Sequence, residues 1–176
     1  MSGTRPGNPP QQPPSSQLHA IAPARVLRGS GAWRDALNAI GSLGQRPLLL
    51  GRSAATRALR QQLQADLSHG GLSPVAAELQ HDCCEADLQP LAEQARAAGC
   101  DSVLAAGGGK VLDAGKLLAH RLGLACITVP TSAATCAGWT ALANLYSPEG
   151  AFAGDVTLER CPDLLVFDHD LVRQAP

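Results

Sequence analysis

Short apolar runs alternate with amphipathic stripes along most of this chain, and that alternation limits the fold more than any other feature. Pro47 to Leu50, Val75 to Leu79, Ser102 to Ala106, Ala125 to Val129 and Leu164 to Phe167 are brief and largely apolar, as strands covered on both faces are. Between them, Trp33, Leu37 and Ile40 share one helix face, as do Leu59, Leu63 and Leu67. Leu88, Leu91, Ala95 and Ala98 form a third stripe, and Val111, Ala114, Leu118 and Leu122 a fourth, all at the spacing of helical turns. Gly70, Gly71 and Gly99 supply stop signals for the second and third helices. The fourth stripe leaves Asp113, Lys116 and His120 on the outer side of its helix. Strands separated by helices imply β-α-β units, and hence an α/β, doubly wound, mostly parallel sheet. Leu142 to Leu158 breaks this rhythm, and its Ser147-Pro148-Glu149-Gly150 centre predicts a turn between antiparallel strands. The expected fold therefore carries one β-hairpin near its C-terminal end.

The remaining features narrow the function. Residues 1–17 are rich in Pro, Gly, Gln and Ser without apolar periodicity, and they read as a disordered tail before a domain spanning 18–176. Order is expected to begin between Leu18 and Val26. A formal net charge of −1, with no basic cluster, excludes a nucleic-acid surface, which needs grouped Lys and Arg. No stretch approaches the roughly 20 apolar residues of a membrane span, and the N-terminus lacks the apolar region of a signal peptide. The six cysteines form no C-x-x-C pair, so they read as thiols of a reducing cytoplasm. His19, His69, His81, His120 and His169 include no i, i+4 pair, and none is expected to ligate a metal.

The richest segment runs from Ala105 to Lys116, where a strand leads into Gly107, Gly108 and Gly109 and a helix opens at once. Glycines permit positive φ and let a ligand approach the backbone. Free N–H groups and the positive dipole end at a helix N-terminus attract phosphate, and Lys110 adds a point charge. Val111 after the lysine excludes a P-loop, and the spacing is not G-x-G-x-x-G. A ligand-free tight turn is the plain alternative.

The order of features resembles the iron-containing alcohol dehydrogenase superfamily, and within it the glycerol dehydrogenase branch. The likeness rests on Gly107-Gly-Gly-Lys-Val-Leu-Asp113 with Lys116, on Val129-Pro-Thr-Ser-Ala-Ala-Thr135, on Thr140-Ala-Leu142 with Tyr146, and on Cys161-Pro-Asp163 before Leu164 to Asp168. It implies a Rossmann-like domain that binds NAD or NADP. By the resemblance, Gly107, Gly108, Gly109 and Lys110 hold the pyrophosphate, with Asp113 and Thr135 in the same coenzyme site. Thr131 and Ser132 lie by the adenine and phosphate portion, and Thr140, Leu142 and Tyr146 line the ribose and nicotinamide end. It further implies a small alcohol or polyol substrate and a homo-oligomer for a full-length protein.

Two departures matter. NAD-preferring members resemble one another in an Asp after the first strand of the fold, where this chain reads Gly51-Arg52-Ser53. Arg52 suits a 2′-phosphate and so NADP, or is a plain surface arginine. Cys136 stands where glycerol dehydrogenases carry a substrate-contacting Asp, and Gly138-Trp139 stands for a Pro-Thr pair, so glycerol itself is not the expected substrate.

The resemblance also implies a divalent metal, zinc or iron, held by Asp and His of a following helical domain that is not expected within these 176 residues. The chain alone is therefore expected to be inactive. The alternatives are a non-catalytic nucleotide-binding module, degenerate or one half of a split enzyme, and chemistry like that of dehydroquinate synthase or glycerol-1-phosphate dehydrogenase. If a second domain covers one face, Leu142, Leu145 and Phe152 make an apolar patch without it.

Overall fold

In a computed structural model of the chain, residues 22–174 are described; the Pro-rich segment 1–17 lies outside them. Six strands form one fully parallel sheet: β1 (Val26–Gly29), β2 (Pro47–Gly51), β3 (Val75–Glu78), β4 (Ser102–Gly107), β5 (Ala125–Pro130) and β8 (Leu164–Asp168), in the order β1-β8-β5-β4-β2-β3. Between β5 and β8, β6 (Leu142–Tyr146) and β7 (Phe152–Thr157) pair antiparallel as a separate ribbon. Its turn is closed by the Ser147 N–H donating to the Ala151 carbonyl at 2.8 Å, with Gly150 at φ 89°.

The central strands are buried along their length, and alternate residues face opposite ways. Leu48, Leu50, Val103 and Ala105 point into one core with α3 (Glu85–Ala97) and α4 (Gly109–Leu122). Leu49, Leu104, Ala106 and Ile127 point into the other, with α1 (Ala32–Gly41) and α2 (Arg57–His69). Helices on both faces make the sheet doubly wound, as the apolar runs predict. The short α5 (His169–Gln174) closes the described chain. The carboxylates after β8 hold α1 in place: Asp168 accepts the Trp33 N–H at 2.8 Å and Asp170 the Gly31 N–H at 3.1 Å.

The sequence pattern does not reveal β1, which pairs with β8 alone at the sheet edge and is half-exposed throughout. Val-Leu-Arg-Gly is too short and too mixed to stand out as an apolar run. The pattern is misleading on α4. His120 is exposed as expected, but Asp113 and Lys116 are 4% and 2% exposed. The hairpin covers that side of the helix, and a stripe analysis of α4 by itself cannot know of it. Of the three residues expected to form an apolar patch on the hairpin, Leu142 and Phe152 are exposed, while Leu145 packs partly against the core.

Gly115 shows how tightly α4 sits on the sheet, since a Cβ there would lie 2.3 Å from the Ala105 Cβ. In an open helix, Gly→Ala gains about 1 kcal/mol. Here overpacking reverses the sign, and Gly115→Ala is expected to destabilise by about 1–3 kcal/mol. Urea unfolding checks this, and a stabilised variant would mean that the helix is free to move off the strand.

Candidate coenzyme site

The strand order changes direction between β2 and β4: β3 lies to one side of β2, and β5 to the far side of β4. Loops leaving adjacent strands at such a point diverge to opposite faces and open a crevice at their carboxyl ends. After β4 comes the glycine loop, and after β2 come Arg52 and Ser53.

Gly107 ends β4, Gly108 precedes α4 and Gly109 is its first residue. None of the three has a positive φ, so their value is room rather than conformational freedom. A Cβ on Gly107 would meet Val111 at 2.9 Å, and one on Gly109 would lie 3.1 Å from the Thr135 hydroxyl. At Gly108 nothing lies within 4 Å; the space in front of that backbone is open. The Gly107 carbonyl accepts the Thr131 N–H at 3.0 Å, which ties the glycine loop to the end of β5.

Two hollows flank this loop. One, of about 260 Å³, is lined by Arg52, Ser53, Thr56 and residues 107–111. The other, of about 250 Å³, is lined by Gly109, Lys110, Asp113, Thr135, Cys136, Thr140, Leu142 and Tyr146 among others. The structure thus brings together eleven of the residues singled out by sequence, counting Cys136, around a ridge made by Gly109 and Lys110. Thr131 and Ser132 line neither hollow. Thr131 is buried behind the loop, and the Ser132 hydroxyl caps its own turn by accepting the Ala134 N–H at 3.2 Å. A larger hollow of about 610 Å³ where α1, α2 and α5 meet contains none of these residues. Its acids are engaged elsewhere, Asp66 by the Trp33 indole N–H at 2.9 Å and Asp168 by backbone donors.

Asp113 lines the second hollow, but its carboxylate is committed internally. It pairs with Lys116 at 3.0 Å and accepts the Asn144 N–H at 3.2 Å. Lys116 in turn donates to the Thr140 carbonyl at 3.2 Å and to the Leu142 carbonyl. The pair pins the start of β6 onto α4, which is how Thr140 and Leu142 reach the hollow.

Sequence patterns single out neither Asp82 nor Arg60, nor the conformation of Ser53. Asp82, 6% exposed, lies 2.7 Å from the Arg52 Nη1 and 2.5 Å from the Lys110 Nζ. Lys110 also sits over the Tyr146 ring, 4.7 Å from its centroid. Ser53 holds a φ of 72°, a conformation that costs energy outside glycine and gathers at functional loops. Arg60 pins that strained turn by donating to the Arg52 and Ser53 carbonyls at 2.8 and 2.9 Å and pairing with Glu78 at 3.0 Å. Gly51 makes room for it, since a Cβ there would lie 1.9 Å from the Arg60 Cδ. The only sequence signal for these is a glycine at a strand end next to a helix bearing an arginine.

Among the described residues, one group of His, Cys and acid side chains comes close together: His81, Cys84 and Asp87, with ligand atoms within 4.8 Å of one another. Asp87 is already satisfied at the N-terminus of α3. It accepts the Gln80 and His81 N–H groups at 2.8 Å each, and its other oxygen meets the His81 Nδ1 at 2.8 Å. These bonds tie the loop after β3 to the first turn of α3, and a carboxylate so engaged does not fit a catalytic metal. Burial pushes the Cys83 and Cys126 thiols up to about 12, with nearby Asp113 adding to the shift at Cys83 and Asp163 at Cys126. Both stay protonated and inert at neutral pH.

The iron-containing alcohol dehydrogenase family model matches residues 23–169. The chain belongs to that family. An uncharacterized oxidoreductase of Synechocystis sp. is 46% identical over 156 residues, covering 89% of this chain and 40% of the relative. Glycerol dehydrogenase of Escherichia coli is 29% identical over 159 residues, covering 88% and 42%. Among solved structures, a probable glycerol dehydrogenase from Sinorhizobium meliloti superposes with a TM-score of 0.80 at 27% identity, covering 92% of this chain and 43% of that one. The chain spans about two fifths of the length of these curated relatives. Among the described residues, no helix is long and apolar enough to cross a membrane.

The Asp113–Lys116 pair gives the site its most direct structural test. Lys116→Met leaves a buried carboxylate unpaired and is expected to cost about 3–5 kcal/mol, whereas replacing both partners with apolar residues recovers most of that. Chemical denaturation of the two variants measures this, and a single-variant loss under about 1 kcal/mol would show that water reaches the pair.

Proposed function

We propose that this chain is the coenzyme-binding part of a metal-dependent, NAD(P)-linked oxidoreductase acting on the CH–OH group of a small alcohol or polyol. The observation that carries the reading is the open space before Gly108 at the point where the strand order reverses, with Lys110 beside it. A dinucleotide laid across the Gly109–Lys110 ridge would place one half in each hollow. The free N–H groups at the start of α4 and the Lys110 ammonium would hold its pyrophosphate. Arg52 would face the adenosine ribose of NAD or NADP. Thr135, Thr140, Leu142 and Tyr146 would line the nicotinamide half, while Thr131 and Ser132 lie on the loop after β5.

A nicotinamide held there would supply a hydride acceptor for the alcohol carbon, with the hydroxyl proton leaving as the carbonyl forms. A divalent metal would promote that proton loss, and the group of His81, Cys84 and Asp87 does not fit that role. Cys136 lines the nicotinamide-side hollow and is exposed. A thiol is a weak hydrogen-bond acceptor, so a substrate hydroxyl at that place gains little from it. This supports a small alcohol other than glycerol.

The test is titration of NADH and NADPH fluorescence with the 176-residue chain. Saturable binding of at least one, below about 1 mM, is expected. Gly108→Val adds a side chain where nothing lies within 4 Å, so it should fold with an unchanged circular dichroism spectrum and weaken binding by about tenfold or more. Undiminished binding by that variant, or no saturable binding by the parent chain, would sink the assignment of this cradle.

A further inference from the structure

The two cations best placed to meet coenzyme phosphates already share a partner. Arg52 follows β2 and Lys110 lies in the first turn of α4, yet both converge on the carboxylate of Asp82, from the loop between β3 and α3. Asp82 is 8% exposed by side chain, while Arg52 and Lys110 are 39% and 41% exposed. The acid is therefore fixed in the wall, and the cations reach back to it from the cleft. Its Oδ1 is buried without a well-directed hydrogen bond although Arg52 lies 2.7 Å away. The attraction there is charge on charge.

We propose that Asp82 determines coenzyme selectivity by holding the Arg52 guanidinium back from a 2′-phosphate, so that the site takes NAD in preference to NADP. The inference rests on the dinucleotide reading above. A 2′-phosphate carries about −1.5 to −2 charges at neutral pH. To recruit Arg52 it must displace a carboxylate already in contact, or settle beside that carboxylate and suffer its repulsion. A 2′-hydroxyl faces neither cost. The pyrophosphate is less affected, because the backbone N–H groups at the start of α4 are untouched by Asp82. An arginine at this position thus does not confer NADP preference while its charge is committed to Asp82.

Fluorescence titration of the 176-residue chain with NADH and NADPH provides the test. The parent chain is expected to bind NADH about tenfold or more tightly than NADPH. Asp82→Asn keeps the shape and removes the charge, and it should shift the NADPH-to-NADH affinity ratio about tenfold or more toward NADPH. That shift should vanish in the Arg52→Ala background, because the coupling runs through the guanidinium. Equal affinities in the parent chain would overturn the proposal without any variant having to fold. It would equally be overturned by an unchanged ratio in a folded Asp82→Asn that still binds NADH, or by a shift that survives Arg52→Ala. Failure of the parent chain to bind either coenzyme would instead overturn the dinucleotide reading itself.

Discussion

The candidate site depends on a buried ion pair on α4. Asp113 and Lys116 lie one turn apart on α4, both nearly inaccessible. Taking two charges out of water is costly, and their attraction offsets that only when every remaining donor and acceptor is used. Here the spare bonding capacity goes to the hairpin: Lys116 reaches the Thr140 and Leu142 carbonyls, and Asp113 takes the Asn144 N–H. A two-stranded ribbon is marginal in water by itself, and this one gains its position from the helix it covers. The Tyr146 N–H adds a second anchor by donating to the Cys83 carbonyl at 2.9 Å. Through these bonds the hairpin becomes a wall of the cleft.

Close approach is the second constraint, and it acts at the middle and at the start of α4. Gly115 lets the helix lie against β4, while Gly107 and Gly109 let its first turn fold back toward Val111 and Thr135. Gly108 alone faces open space. Three consecutive glycines thus serve two purposes, packing on either side and access in the middle. The reversal of strand order places that access beside the end of β2, where Gly51 and Arg60 hold Ser53 in its strained turn.

What was legible in the sequence follows from range. The apolar runs and stripes report burial of each segment on itself, so five of the six sheet strands, four helices and the hairpin turn could all be read. β1 could not, because none of its four residues is buried, whereas the other edge strand, β3, buries Ala77. The inward turn of Asp113 and Lys116 could not either, since the element that buries them lies about 25 or more residues further along. Most of the candidate site was visible as motifs. Asp82 was not, since a lone acid after a strand is indistinguishable from a solvated one until the fold brings Arg52 and Lys110 to it from 30 and 28 residues away.

The two acid–base groups that involve the first turns of α4 differ in a way that sorts structure from function. Asp113 and Lys116 balance each other, sit in the core and have their remaining bonds filled by backbone. Such a pair has no charge to offer a ligand, and rearranging it would expose an uncompensated ion. Asp82 faces two cations at the cleft margin, so one positive charge is left over, and both cations are on side chains long enough to move. An excess cation beside a helix N-terminus attracts an anion, and the half-exposed setting keeps the cost of exchanging partners small. The same chemistry that makes the buried pair a clamp makes the marginal trio adjustable, and its set point depends on the one member that cannot leave the wall.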